Sequence, residues 1–113
     1  MFNITLNRVR DRFNVKEGSE SLTMVVDSDA FAIVTRIRNA QEKMIAVCNG
    51  EHTEEEQKEA ARAFSVSMFG EEQTEKLLAF YNGDYSCVAA ICGQYFEKRL
   101  TKKIVAAQKK IKK

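Results

Sequence analysis

Proline is absent from the 113 residues, where a chain of this length ordinarily carries about five or six. That removes the residue that breaks helix interiors and leaves glycine and asparagine to close the elements. Glycine occurs only five times. No Gly-rich run precedes a Lys-Ser or Lys-Thr pair, so no phosphate-cradling loop is encoded and no cofactor is expected. The single histidine, His52, stands among Glu51 and Glu54 with no nucleophile to serve. Ser28, Ser65, Ser67 and Ser86 all lack the glycine-flanked elbow that presents a serine for attack. His52 therefore reads as a solvated residue ahead of a helix, and no catalytic residue is assigned.

The cysteines are Cys48, Cys87 and Cys92, an odd number without paired spacing, which suits reduced, buried thiols better than a disulfide framework. Cys87 and Cys92 are five apart on one helix and point about 140° away from each other, so they cannot share a metal. No metal site is expected. Apolar runs fall short of the roughly 18 residues a membrane span requires. MFNITLNRVR has no apolar stretch behind a basic start, so neither a membrane segment nor a secretion signal is expected, and the default compartment is cytoplasmic.

What is there describes one soluble domain over residues 1–113, with 44% hydrophobic and 30% charged side chains. Such a chain can remove roughly two thirds of its surface from water without metal or disulfide staples. Its net charge of +2 conceals a polarity. Residues 51–75 hold eight acids and two bases, a net of −6, and residues 98–113 hold eight bases and no acid, a net of +8. The chain is an electric dipole in sequence.

Hydrophobic periodicity divides it into a β element over 1–26 and a helical body over 27–113. Phe2, Ile4 and Leu6 alternate with polar residues, as do Phe13 and Val15, and Leu22, Met24 and Val26 follow the turn signal Lys16-Glu17-Gly18-Ser19. Which of these segments pair is left open. From Asp27 and Ser28, good N-cap types, Ala30, Ile33, Val34, Ile37, Ala40, Met44 and Cys48 recur at helical steps as far as Asn49-Gly50. Thr53-Glu54-Glu55-Glu56 is a capping box with an acidic first turn, opening a second helix that carries Ala60, Phe64 and Met68 and stops at Phe69-Gly70. A third helix runs from about Glu71 to Tyr81 with Leu77, Leu78 and Tyr81 inward.

The fourth, basic and amphipathic, starts near Asp84 and keeps Tyr85, Val88, Cys92, Phe96, Leu100, Ile104, Ala107 and Ile111 in step. The expected fold is thus mainly α, about four helices with a small N-terminal β-hairpin. Some 29 residues of helix would span roughly 43 Å, against a radius of gyration of about 13 Å for a compact chain of this size. The last turns should therefore overhang, exposing the seam Leu100, Ile104, Ala107 and Ile111. Gly93, which costs about 1 kcal/mol inside a helix relative to alanine, predicts a neighbouring helix at close approach.

The lysine-rich end could neutralise phosphates. Three features count against nucleic acid as its target: a single aromatic, Phe96, at its entrance, charges that ring the helix, and the opposing acidic block. An apolar seam of this kind fits a helix-in-groove contact with another protein better.

Segment 67–100, with Ser67-Met68-Phe69-Gly70, Glu75-Lys76-Leu77-Leu78, Tyr81-Asn82-Gly83-Asp84 and a long helix ending in lysines, resembles the small tail assembly chaperones of long-tailed bacteriophages. The opening Val26-Asp27-Ser28-Asp29 onto Ile33, Arg36 and Ile37 is also similar, and the likeness extends over residues 24–112. The resemblance implies a non-enzymatic protein that binds the long, largely helical tape measure protein, keeps it soluble, helps recruit the tail tube protein and is absent from the mature virion. It further implies a short form that a frameshifted longer form accompanies. Under this reading Phe69, Tyr81, Tyr95, Phe96, Leu100, Ile104, Ile111, Lys102 and Lys103 are the candidate partner-binding residues. Self-association through the opposed charge blocks is a further expectation. The alternatives are a small helical nucleic-acid-binding protein using its basic C-terminal helix, and a structural tail or connector subunit.

Overall fold

The computed structural model describes residues 1–3, 7–50 and 52–109. Ile4 and Leu6 of the first alternating segment, and Ile111 with the lysines after Lys109, lie outside the described residues.

The hairpin forms from the second and third alternating segments. Strand β1 (Arg8–Glu17) pairs antiparallel with β2 (Glu20–Asp29), in the register Asp11↔Val26, Phe13↔Met24 and Val15↔Leu22. Gly18, at φ 61°, supplies the left-handed turn residue. Val9, Asp11, Val15, Met24 and Val26 are buried on one face, while Arg8, Arg10, Arg12, Asn14 and Lys16 stand exposed on the other. The strand runs to Asp29, past the expected boundary, because Asp29 and not Asp27 or Ser28 caps the next helix. Its carboxylate accepts from the Ala32 amide at 2.9 Å.

The other edge of the hairpin is closed by a side chain. The Val25 amide donates to Gln73 Oε1 at 2.7 Å and Gln73 Nε2 donates back to the Val25 carbonyl at 2.5 Å, so one amide stands where a third strand's peptide group would.

Among the described residues three helical runs follow, not four. Helix α1 (Ala30–Cys48) buries Ala30, Ile33, Ile37 and Ala40. Its last two turns carry no buried residue, and Cys48 is exposed rather than buried as expected. Helix α2 (Glu54–Phe80) begins at the predicted capping box: the Glu56 amide donates to Thr53 Oγ1 at 3.1 Å, and the Thr53 amide to Glu56 Oε1 at 3.2 Å. The expected stop at Phe69-Gly70 is a change of direction inside this run. Gly70 sits at φ 84°, ψ 169°, a region that is essentially glycine's alone. Across the bend the buried hydroxyls of Ser65 and Thr74 meet at 2.8 Å, and Arg62 pairs with Glu75. The two expected helices are therefore halves of one bent element.

Helix α3 (Tyr85–Tyr95), a π turn (Phe96–Leu100) and α4 (Thr101–Lys109) continue without a break as one C-terminal helix. Its buried side chains are Val88, Cys92, Tyr95, Leu100, Ile104 and Ala107. Repeated steps of four drift about 40° each around a straight α-helix. The step of five from Tyr95 to Leu100 falls on the π turn, whose wider winding absorbs the drift. The seam consequently faces inward, and the expected overhang is not seen among the described residues: Leu100, Ile104 and Ala107 are 0%, 8% and 6% exposed, and α4 packs against both β1 and α1. Gly93 is not a close-approach site either, since a Cβ there would meet nothing within 4 Å.

An aromatic cluster joins hairpin to helices. The rings of Phe13 and Tyr95 stack at 4.2 Å, and Phe69 lies 5.5 Å from Tyr95. Among the described residues, no helix is long and apolar enough to cross a membrane.

Candidate interaction surface

Asp11 is a carboxylate at an inward strand position, its side chain 2% exposed. Such a charge is costly to bury unless it is paired, and it is paired several times. Arg99 donates from Nε at 2.6 Å and from a terminal guanidinium nitrogen at 2.7 Å, the Tyr95 hydroxyl donates at 2.9 Å, and Lys103 Nζ lies 3.6 Å away. Burial pushes the Asp11 carboxyl up, but the Arg99, Tyr95 and Arg12 amide hydrogen bonds outweigh it and hold it below the ordinary carboxylate range. Burial and Asp11 together push the Tyr95 phenol well above its usual value. This cluster fixes the C-terminal helix against β1.

Several residues expected to bind a partner are thereby committed to the interior. Phe69, Tyr95, Leu100 and Ile104 are buried, Phe69 and Tyr95 inside the aromatic cluster and the other two in the hydrophobic core. Lys103 reaches Asp11 and the Arg10 carbonyl and is only partly exposed. Tyr81 and Phe96 are half-buried, Lys102 is exposed, and Ile111 lies outside the described residues. Sequence periodicity marks residues as apolar at helical spacing, and the same spacing serves core and interface alike.

Accessible apolar surface lies beside the seam. A groove of about 260 Å³ runs between α1 and the C-terminal helix, lined by Val34, Ile37, Arg38, Phe96, Ile104 and Val105 among others. Val105, at 42% exposed, forms one wall. Phe31 and Ile45, 61% and 58% exposed, project from α1. They are fourteen residues apart, which places them within about 40° of one another around the helix. The residues that the sequence missed here, Phe31, Ile45 and Val105, fall outside the regular seam, and nothing in the helical pattern distinguishes them, whereas Val34 belongs to the pattern read for the first helix.

The larger cleft, about 680 Å³ between the ends of α1, α2 and α3, brings together no set of reacting groups. Glu54 there pairs with Lys58 at 3.5 Å, Lys58 lies over the Tyr85 ring at 5.8 Å, and Asp84 accepts from the Ser86 and Cys87 amides. His52 meets Glu56 at 2.9 Å. No cluster of three metal-ligating side chains exists among the described residues.

Comparison with protein-family models, with characterised proteins and with solved structures finds no match.

Proposed function

We propose that this chain is a non-enzymatic tail assembly chaperone of a bacteriophage or prophage, which holds the helical tape measure protein in solution and helps recruit the tail tube protein. The observation that supports the reading is the apolar groove between α1 and the C-terminal helix, with exposed Val105 in its wall and Phe31 and Ile45 exposed elsewhere on α1. A groove bordered by two helices accepts an amphipathic helix by its apolar face, and half-buried Phe96 supplies an aromatic floor. The resemblance in residues 24–112 supplies the identity of the partner. In this role the protein works in the host cytoplasm and is not retained in the virion.

Co-expression with the tape measure protein of the same gene cluster tests it. The partner should become soluble and co-purify, and Phe31→Asp with Val105→Asp should abolish the complex while the chaperone itself stays folded. An unchanged partner solubility with no complex defeats the reading, and recovery of the chain in purified virions would instead favour a structural tail or connector subunit.

A further inference from the structure

The alternation that buries Val9, Asp11 and Val15 places Arg8, Arg10, Arg12, Asn14 and Lys16 on the opposite, exposed face of β1. Their cross-strand partners in β2 are Asp29, Asp27, Val25, Thr23 and Ser21. The C-terminal helix lies along the same strand, pinned there by Arg99 and Lys103 on Asp11. A concavity of about 380 Å³ between β1 and this helix is lined by Phe13, Asn14, Val15, Lys16, Lys98 and Arg99 among others, so Lys16 at the edge of β1 borders Lys98 and Arg99 of the helix. Exposed Lys102 stands one helical turn beyond Lys98.

The opposing charges are few. Asp27 lies 2.8 Å from Arg8 and 3.5 Å from Arg10, and Asp11 is buried under Arg99. Asp29, opposite Arg8 in the register, and Glu17, Glu20 and Glu97 complete the acids of these elements. Among the described residues, no carboxylate pairs with Arg12, Lys16, Lys98 or Lys102.

We propose that the outer face of this hairpin, continued by Lys98 and Lys102, binds the phosphate backbone of duplex DNA. The charge is complementary, and three of the four β1 cations are arginines, whose planar donors match phosphate oxygens. Same-face side chains on a strand recur about every 6.6 Å, close to the roughly 6.8 Å that two phosphates of one B-form strand occupy along the axis. A two-stranded ribbon fits the major groove, and Asn14, Thr23 and the arginines are base-edge donors and acceptors. An acidic protein helix would need apolar anchoring, and among the described residues Val25 is the only large apolar side chain exposed on this face. The surface shares no lining residue with the apolar groove, so it stands or falls separately from the chaperone reading.

Fluorescence anisotropy with a labelled 20-base-pair duplex tests the assignment. The full chain should bind at 50 mM salt, with log K falling linearly in log salt at about −0.9 per phosphate contacted. The variant Arg10→Ala/Arg12→Ala/Lys16→Ala/Lys98→Ala should bind at least tenfold more weakly and with a shallower slope, and Lys98→Glu alone should shift both in the same direction. Replacing Lys109, Lys110, Lys112 and Lys113 by alanine should leave most of the binding in place. Absence of binding at 50 mM salt overturns the proposal. So does binding that the tail variant abolishes and the hairpin variants leave intact, or preference for a poly-glutamate peptide of equal charge over the duplex.

Discussion

Arg99 grips Asp11 through two guanidinium nitrogens, at 2.6 and 2.7 Å, across 88 positions of the chain. The carboxylate is buried and the arginine is half-exposed, so the two partners are unequal in what their loss does. Without Arg99, a charge remains in the interior with the Tyr95 hydroxyl, the Arg12 amide and Lys103 at 3.6 Å to answer it. Arg99→Met should therefore destabilise the fold more than removal of the carboxylate charge does. Asp11→Asn, which keeps an acceptor for the Tyr95 hydroxyl and lets Arg99 turn to water, should cost about 1–2 kcal/mol. Urea midpoints of the two variants check the order, and an equal or reversed ranking would contradict it.

The same pair sets a pH dependence. The folded carboxyl of Asp11 lies below its unfolded value of about 3.9. Its contribution is therefore fully present above that value and is lost as pH falls through the lower folded one. As pH falls below about 4 the wild type should lose more stability than Arg99→Met, in which burial of the carboxyl is opposed only by Tyr95, the Arg12 amide and Lys103. Parallel urea midpoints for the two proteins across that range would refute this. Asp27, Glu56 and Asp84 also sit below the ordinary range, through Arg8, His52 and Cys87 respectively. They are exposed and contribute little.

The thiols should react in a fixed order. Cys48 is exposed, Cys87 donates to the Asp84 carboxylate at 3.4 Å, and Cys92 is buried. The hydrogen bond to Asp84 raises the Cys87 thiol, and burial pushes Cys92 up to about 12 against a small opposing effect from Ser65. Alkylation at pH 8 read by mass spectrometry should label Cys48 first, Cys87 more slowly and Cys92 only on unfolding.

Two glycines should respond to alanine with opposite signs. At Gly70 nothing crowds a Cβ, but φ 84°, ψ 169° excludes alanine, and Gly70→Ala should cost about 1–3 kcal/mol. Gly93 is equally uncrowded but lies in regular helix. Gly93→Ala should stabilise by about 0.5–1 kcal/mol. Thermal unfolding distinguishes the two outcomes.

The conditions on which sequence reading depends are visible in these elements. The Thr53-Glu56 capping box, the Asp84 cap and the alternation of Leu22, Met24 and Val26 act locally, and they stand where local chemistry places them. Gly70 reads as a stop, and helical geometry does break there, at φ 84°, ψ 169°; what the sequence does not reveal is that the helix resumes at once and folds back, so that Ser65 and Thr74, nine apart, meet across the bend. The C-terminal seam is legible as apolar, and its five-residue step from Tyr95 to Leu100 becomes visible only once burial is known. Asp11 looks like one more charge in the run RVRDR, and only the alternation from Val9 to Val15 marks it as inward. The arginines around it escape notice for the complementary reason, since net charge along the chain does not record which face of a strand carries it.

Gln73 has a bearing on colloidal behaviour. An uncovered strand edge offers a row of amides and carbonyls on which another chain can be templated into cross-β stacking. At Val25 that template is interrupted in the middle of β2 by a side chain delivered from just past the bend in α2. A hairpin that alone would be marginal in water thus meets solvent with one ledge already occupied, and the bend at Gly70 is what brings the occupant within reach.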